Sequence, residues 1–440
     1  MIVGTIGTRF VNAILAFLIV VLNAHYLGAE KVGTISMIVL SVTIIQLLNN
    51  FVAGGALIYM TPRVGVYKLF LPAYIWTIGI TAVSTAFLSL LGVMFPTFEV
   101  IPQGYFYETL FLALVMSLAS VNFMLLLGLQ KVKEFNVINL LQIFALMLIL
   151  LFCLFILGLR EVMSYFWAMF FSFVLAYIVS LIMLIPFIRR EPLTGMKKLL
   201  AEIFRFGTYI QFANIFQTLN YRLSYLIVNM FLGRAAVGVL SVGVSLSEGL
   251  WLISRSISMV QYSKISNEMN DDYSARISLT LAKITWVITL LVLVFLVAIP
   301  TFIYTRIFGT DFAGIRLVIA SLGIGIVTLS VSMIFSAYFS GINKPYHNTI
   351  SSAIGLVLTI GLGLLLIPLW GLIGAGITAT CSYTAATLYQ FIIFSRITKL
   401  KAKDFLLTWG ELKLLKGEMK RMITKTTAIP KQGPEGLTLP

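Results

Sequence analysis

The chain has 440 residues, 60% of them hydrophobic and 11% charged, with a formal net charge of +15 and a mean hydropathy of +1.01. A water-soluble chain of this length could not cover its surface with so few charges, so the bilayer is its solvent. Cys153 and Cys381 both fall in apolar stretches, and His25 and His347 fall at opposite ends of the predicted bundle, which excludes a disulfide framework and a metal site; no cofactor is expected.

A window of about 20 residues predicts twelve spans, near 5–28, 34–60, 70–95, 108–129, 136–158, 164–188, 205–231, 238–262, 283–303, 314–340, 348–367 and 372–395. They are too long and too continuously apolar for barrel strands, so the fold class is an all-α polytopic membrane protein. The first stretch has no small-residue cleavage site and is expected as a retained helix; it carries Arg9, Asn12 and Asn23. It ends in Leu27-Gly28-Ala29-Glu30-Lys31-Val32-Gly33-Thr34-Ile35-Ser36, which returns as Leu232-Gly233-Arg234-Ala235-Ala236-Val237-Gly238-Val239-Leu240-Ser241. Gly128-Leu129-Gln130-Lys131 returns in the same way as Gly341-Ile342-Asn343-Lys344. The offsets, 205 and 213 residues, are about half the chain and mark a duplicated bundle. Six spans per half give two lobes of the same orientation, related by an axis along the membrane normal.

On this reading the first lobe covers 1–190, a cytoplasmic linker helix 191–204, the second lobe 205–395, and a basic cytoplasmic tail 396–440. Leu193 to Phe206 alternates Lys197, Lys198, Glu202 and Arg205 with Leu199, Leu200, Ile203 and Phe204, the pattern of a helix lying in the interface. With the N-terminus inside, the inward loops and tail hold 23 lysines and arginines against 5 outside, which predicts both termini in the cytoplasm. The same asymmetry accounts for the basic charge, so membrane lipid headgroups are its expected partner and nucleic acid is not.

Charges within spans are costly and mark function, so the embedded polar residues are the candidate site. On the second span Ser36, Thr43 and Asn50 repeat by sevens, and Asn50 is the repeat position of Arg255. On the seventh, Gln211, Asn214, Thr218, Arg222, Tyr225 and Asn229 follow at spacings of three or four and share one face. On the eighth come Ser241, Ser245, Glu248 and Arg255. Counting from the turn they share, Arg222 and Glu248 fall roughly 15 Å deep, at matching heights on adjacent helices, where pairing lowers the cost of burying both. Each candidate has a structural alternative: Arg9 and Arg255 as cations snorkelling to headgroups, the Arg222–Glu248 pair as a static clamp, the amides and hydroxyls as glue between helices.

Arg9, Asn12, Tyr26-Leu27-Gly28 and Val32-Gly33 at the start, Gly341-Ile342-Asn343-Lys344-Pro345, and Ile367-Pro368-Leu369-Trp370-Gly371-Leu372-Ile373-Gly374-Ala375-Gly376 resemble the bacterial polysaccharide-export flippases. These are lipid-linked oligosaccharide translocases of the O-antigen and capsule type, within the multidrug/oligosaccharidyl-lipid/polysaccharide exporter superfamily. The resemblance implies a V-shaped pair of six-helix lobes around a central cavity in the bacterial cytoplasmic membrane. By alternating access it would move undecaprenyl-(pyro)phosphate-linked oligosaccharide from the inner to the outer leaflet, with a proton or sodium gradient as the implied driving force and a polymerase or glycosyltransferase as implied partner. Phosphate then falls to Arg222, Arg255 and Arg9, whose planar forks donate paired hydrogen bonds. Gln211, Asn214, Tyr221, Tyr225, Asn229, Asn12 and Asn50 face sugar hydroxyls, and Glu248 is the ion-coupling candidate. A multidrug or cation antiporter of the same superfamily is the alternative. It would want a negative cavity, whereas Glu30, Glu99, Glu108, Glu134 and Glu161 of the first half all lie in turns or at span ends. A membrane enzyme is not expected, because the longest outward segment, Pro96 to Tyr107, holds one acid, Glu99, and no base.

Overall fold

The computed structural model describes the backbone of residues 2–189, 195–266 and 270–399, and the side chains of these apart from 2–10, 209, 210 and 263. Among them there is no strand. The helices are α1 (Ile2–Leu27), α2 (Ala29–Ala53), α3 (Gly55–Val64), α4 (Val66–Met94), α5 (Phe106–Gly128), α6 (Val132–Leu151) and α7 (Val162–Leu184) in the first half. The second half holds α8 (Met196–Glu248), α9 (Trp251–Ile265), α10 (Asp271–Ala298), α11 (Thr301–Phe308), α12 (Ile315–Gly341) and α13 (Tyr346–Thr398). Because α8 reverses at Gly233 (φ 80°, ψ 179°) and α13 at Gly371 (φ 58°, ψ −134°), and because α2 with α3, and 234–248 with α9, each make one crossing, the chain crosses 12 times. Helices are the form in which apolar segments of this length satisfy their own backbone groups without water.

The duplication is written into the backbone. Gly28 adopts φ 80°, ψ 170°, close to Gly233, and a Cβ would oppose this geometry at both turns. Gln130 and Asn343 both adopt φ 60° and close the same C-terminal motif: Lys131 N–H donates to the Leu126 carbonyl at 2.9 Å and Lys344 N–H to the Phe339 carbonyl at 2.7 Å.

Two elements differ from the sequence reading. Residues 196–206 are not a separate surface helix but continue directly into the seventh crossing as the start of α8. Lys283, expected in a loop, lies within α10 and is 8% exposed, because α10 begins twelve residues earlier, at Asp271, where Asn270 caps it by accepting from Tyr273 N–H at 3.0 Å.

The halves meet in two ways. At the end bearing Gly28 and Gly233, one apolar core includes residues of both halves, from Ile19 and Val32 to Val237 and Phe312. At the opposite end the core divides into one cluster of 52–203 and another of 265–394. Gly33 and Gly238, equivalent in the repeat, cross backbone to backbone: a Cβ on Gly33 would overlap the Arg234 carbonyl, and one on Gly238 the Ala29 carbonyl.

Candidate functional site

In the second half α8, α9, α12 and α13 enclose a cavity of about 1280 Å³. Among the described residues, Arg255 is the one charged side chain in its lining. The guanidinium lies over the Trp251 ring, 5.8 Å from its centroid, and no described carboxylate pairs with it. Trp251, 2% exposed, is held by Tyr221 at 5.4 Å and Tyr383 at 6.5 Å between ring centroids. A cation seated on an aromatic platform with its hydrogen-bond donors unspent is poised for an oxyanion.

The wall away from Arg255 is neutral and polar. Gln390 donates to Ser336 Oγ at 2.9 Å and to Asn348 Oδ1 at 3.1 Å, and Asn348 donates to Ser340 Oγ at 3.1 Å. Ser336 and Ser340 thus accept from amides and donate to no group among the described residues, so their hydroxyl protons are left for the cavity. This network draws on α12 and both parts of α13, and it fixes the rotamers of groups that meet hydroxyl-rich ligands.

A second cavity, of about 240 Å³, lies between the halves beneath the Gly33–Gly238 crossing. Asn23, Ser36 and Thr43 line it from the first half, and Arg222, Tyr225 and Ser245 from the second. Arg222 Nη2 donates to Glu248 Oε2 at 3.2 Å and Nη1 to the Tyr225 hydroxyl at 2.9 Å. The two cavities share no lining residue.

The polar residues singled out in the sequence are therefore divided. Asn214, Tyr221 and Arg255 line the large cavity, Arg222 and Tyr225 the small one. Gln211 is 1% exposed and its Oε1 accepts from Asn214 at 3.3 Å. Asn12 buries an oxygen that has no partner among the described residues, while Asn50 packs against Gly54 where α2 breaks; these two and Asn229 line neither cavity. Arg9 lies in α1, with its side chain outside the described residues. Beyond Asn214 the seventh-span stripe misses the large cavity, because that cavity is faced by Ala213, Gln217, Asn220 and Tyr221, a direction about 100° around the helix, one residue's rotation. Ser336, Ser340, Asn348 and Gln390 were not anticipated. The only trace in sequence is the four-residue repeat of Thr328, Ser332, Ser336 and Ser340, which puts hydroxyls on one face of α12.

A family profile described as "Polysaccharide biosynthesis protein" matches residues 22–317. No curated protein sequence matches. Among solved structures, the lipid II flippase MurJ in an inward closed conformation superposes with a TM-score of 0.76 at 14% identity, covering 98% of this chain and 94% of that one. An inward-facing multidrug resistance MATE transporter of the MOP superfamily gives 0.70 at 15% identity, covering 88% and 96%. The outward-facing conformation of such a transporter gives 0.61 at 15% identity, covering 90% and 95%, in keeping with a core that is joined at one end and divided at the other. The profile spans well over half of the chain, and the chain belongs to the polysaccharide biosynthesis protein family, with the fold of the MOP-superfamily transporters.

Proposed function

We propose that this protein is a flippase that carries undecaprenyl-(pyro)phosphate-linked oligosaccharide units from the inner to the outer leaflet of the cytoplasmic membrane. The observation that carries the reading is the large cavity, where one cation without a carboxylate partner, Arg255, faces a wall of amides and hydroxyls. Arg255 holds the phosphate by its fork, and Ser336, Ser340, Asn214 and Gln217 hydrogen-bond the sugars. The prenyl tail stays in the lipid or in the apolar seam. The family's description and the fold shared with a protein named a lipid II flippase support a lipid-linked cargo. Drug export has less support, since no Asp or Glu among the described residues lines the large cavity to neutralise a cationic drug.

With the termini in the cytoplasm, as the basic loops favour, the large cavity loads from the inner leaflet, and the Gly33–Gly238 end must part for release. Arg222 and Glu248 supply the coupling: drawing Arg222 toward an anion strips Glu248 of its ion-pair partner and leaves the carboxylate open to the driving cation. A polymerase or glycosyltransferase would hand over and receive the cargo.

The test is accumulation of lipid-linked oligosaccharide on the inner leaflet of depleted cells, with variants compared at equal membrane abundance. Wild type clears the build-up. Arg255→Ala, which removes a side chain exposed to the cavity and bound only to a ring face, lowers clearance about ten-fold or more. Full clearance by this variant, or no build-up on depletion, refutes the reading and directs attention to drug efflux.

A further inference from the structure

The small cavity bridges the halves beneath the closed end, and the cargo site in the large cavity shares no lining residue with it. Arg222 has five N–H donors, of which Tyr225 and Glu248 take one each. Asn23, 7% exposed and also in the lining, makes no hydrogen bond through its side-chain amide among the described residues. Buried polar groups left over in this way call for a partner. Between the two arginines stands a partition of three rings: Tyr221 packs on Trp251 at 5.4 Å and on Tyr383 at 5.7 Å between centroids. Tyr221 faces the large cavity, while Arg222, next in the chain, faces the small one. Arg222 is level with Glu248, to which it donates, and Arg255 lies seven residues further along the same crossing, so along the membrane normal the two arginines differ by about 10 Å.

We propose that the small cavity is a second station for the lipid-borne phosphate, on the release side of the partition, with Arg222 and Asn23 as its ligands and the Glu248 carboxylate as the resident anion that the phosphate displaces. The proposal rests on the flippase reading and extends it from one binding site to a relay. The exchange is one anion for another at a single guanidinium, so the station remains neutralised when no cargo is present, and Arg222 is never left as a bare cation at mid-membrane. Glu248 at this position is a competitor, and that separates the relay from a static clamp. A clamp is weakened alike by loss of either partner, whereas in a relay the loss of Arg222 and the loss of Glu248 act in opposite directions.

The experiment uses the full-length protein in lipid nanodiscs, with Cys153→Ala and Cys381→Ala as background and one reporter at a time, Ser245→Cys for the small cavity or Ser258→Cys for the large. The rate of labelling by N-ethylmaleimide is followed against farnesyl pyrophosphate, with farnesol and inorganic pyrophosphate as separate arms. Farnesyl pyrophosphate slows labelling at both reporters and farnesol at neither. Arg222→Gln raises the concentration needed at Ser245→Cys about ten-fold or more and leaves Ser258→Cys unchanged, which also reports that the variant is folded; Arg222→Lys, keeping charge but losing the fork, falls between. Glu248→Gln lowers that concentration. Protection at Ser258→Cys alone overturns the second station and spares the flippase reading. Protection at Ser245→Cys alone sustains the station and removes Arg255 from its role, and protection at neither overturns both. If Arg222→Gln and Glu248→Gln shift protection in the same direction, the pair is a clamp. If inorganic pyrophosphate protects Ser245→Cys and the prenyl form does not, the cavity serves a free anion and the relay is refuted.

Discussion

The seam between the halves is built differently at its two ends. At the Gly28–Gly233 end two backbones touch at Gly33 and Gly238, flanked by a pair of polar clasps that follow the repeat. Glu99 of the first half accepts from Arg234 at 3.2 Å, and Asp311 of the second accepts from Ala29 N–H at 3.3 Å. Arg234 and Ala29 are equivalent positions, each one residue past the turn glycine, so each half offers a carboxylate to the helix start of the other. At the opposite end one glycine, Gly207, packs against the Phe51 carbonyl with no reciprocal glycine, and the rest of the contact is aromatic: Phe51 stacks on Phe204 at 5.8 Å and Tyr59 on Phe206 at 4.5 Å. The reciprocal crossing of Gly33 and Gly238 forms in one register or not at all, whereas stacked rings about a single glycine contact give way by degrees. The difference suits a glycine end that opens as a unit and an aromatic end that guides the start of α8.

The largest effect is expected where backbone meets backbone. Gly33→Leu or Gly238→Leu places a side chain in the space of a facing carbonyl, which cannot yield as a flexible side chain would. The penalty falls at or above the upper end of about 1–3 kcal/mol for overpacking. Val237, fully buried at this end, serves as reporter: Val237→Cys is inert to a membrane-impermeant maleimide in the parent and labelled in either leucine variant, with export lost. Inertness in both variants would mean that the crossing does not hold the end shut.

The sequence showed this end in outline because its markers are local. Gly28 and Gly233 stand in a repeated motif and take the same positive φ, and Arg222 and Glu248 could be matched in height because both count from one short turn. The large cavity was far less legible. Its polar wall is assembled from α12 and from two parts of α13 more than forty residues apart, a proximity that no spacing within one helix reveals. The serines and threonines were misleading in another way, because many spend their proton on their own helix, as Ser36 does on the Val32 carbonyl and Thr43 on the Val39 carbonyl. Trp251 is buried as part of the aromatic partition, a role that depends on Tyr221 and Tyr383 from other helices.

A smaller effect is expected at the aromatic end. Tyr59→Ala removes a stacked pair worth about 0.5–1.5 kcal/mol beyond its burial, together with the ring against which Phe206 rests. The start of α8 loosens from the first half, and Ile203→Cys, placed where the native side chain is 1% exposed, is labelled about three- to ten-fold faster. Tyr59→Phe keeps the stack and leaves the rate at its parent value. Equal labelling in Tyr59→Ala and Tyr59→Phe would show that the ring contact contributes nothing and that the α8 start is held by Gly207, which packs directly against the Phe51 carbonyl.

The smallest effect belongs to the clasps, and its size tells which part of the glycine end bears the closure. The Glu99 and Arg234 side chains keep 16% and 31% of their exposure, so solvent and salt screen the pair, and an interaction of this kind contributes about 0.2–1 kcal/mol. Glu99→Gln therefore speeds labelling of Val237→Cys by no more than about five-fold, and raising salt brings the parent toward the variant while leaving the variant unchanged. Asp311→Asn acts through the equivalent position of the other half by a similar amount, since it weakens an acceptor at a helix start without removing a full ion pair. The two clasps lie on separate elements, so the double variant should equal the sum of the singles. A double variant that opens the end as widely as Gly33→Leu would overturn the ranking, placing the closure in the carboxylates and leaving the glycines as mere clearance.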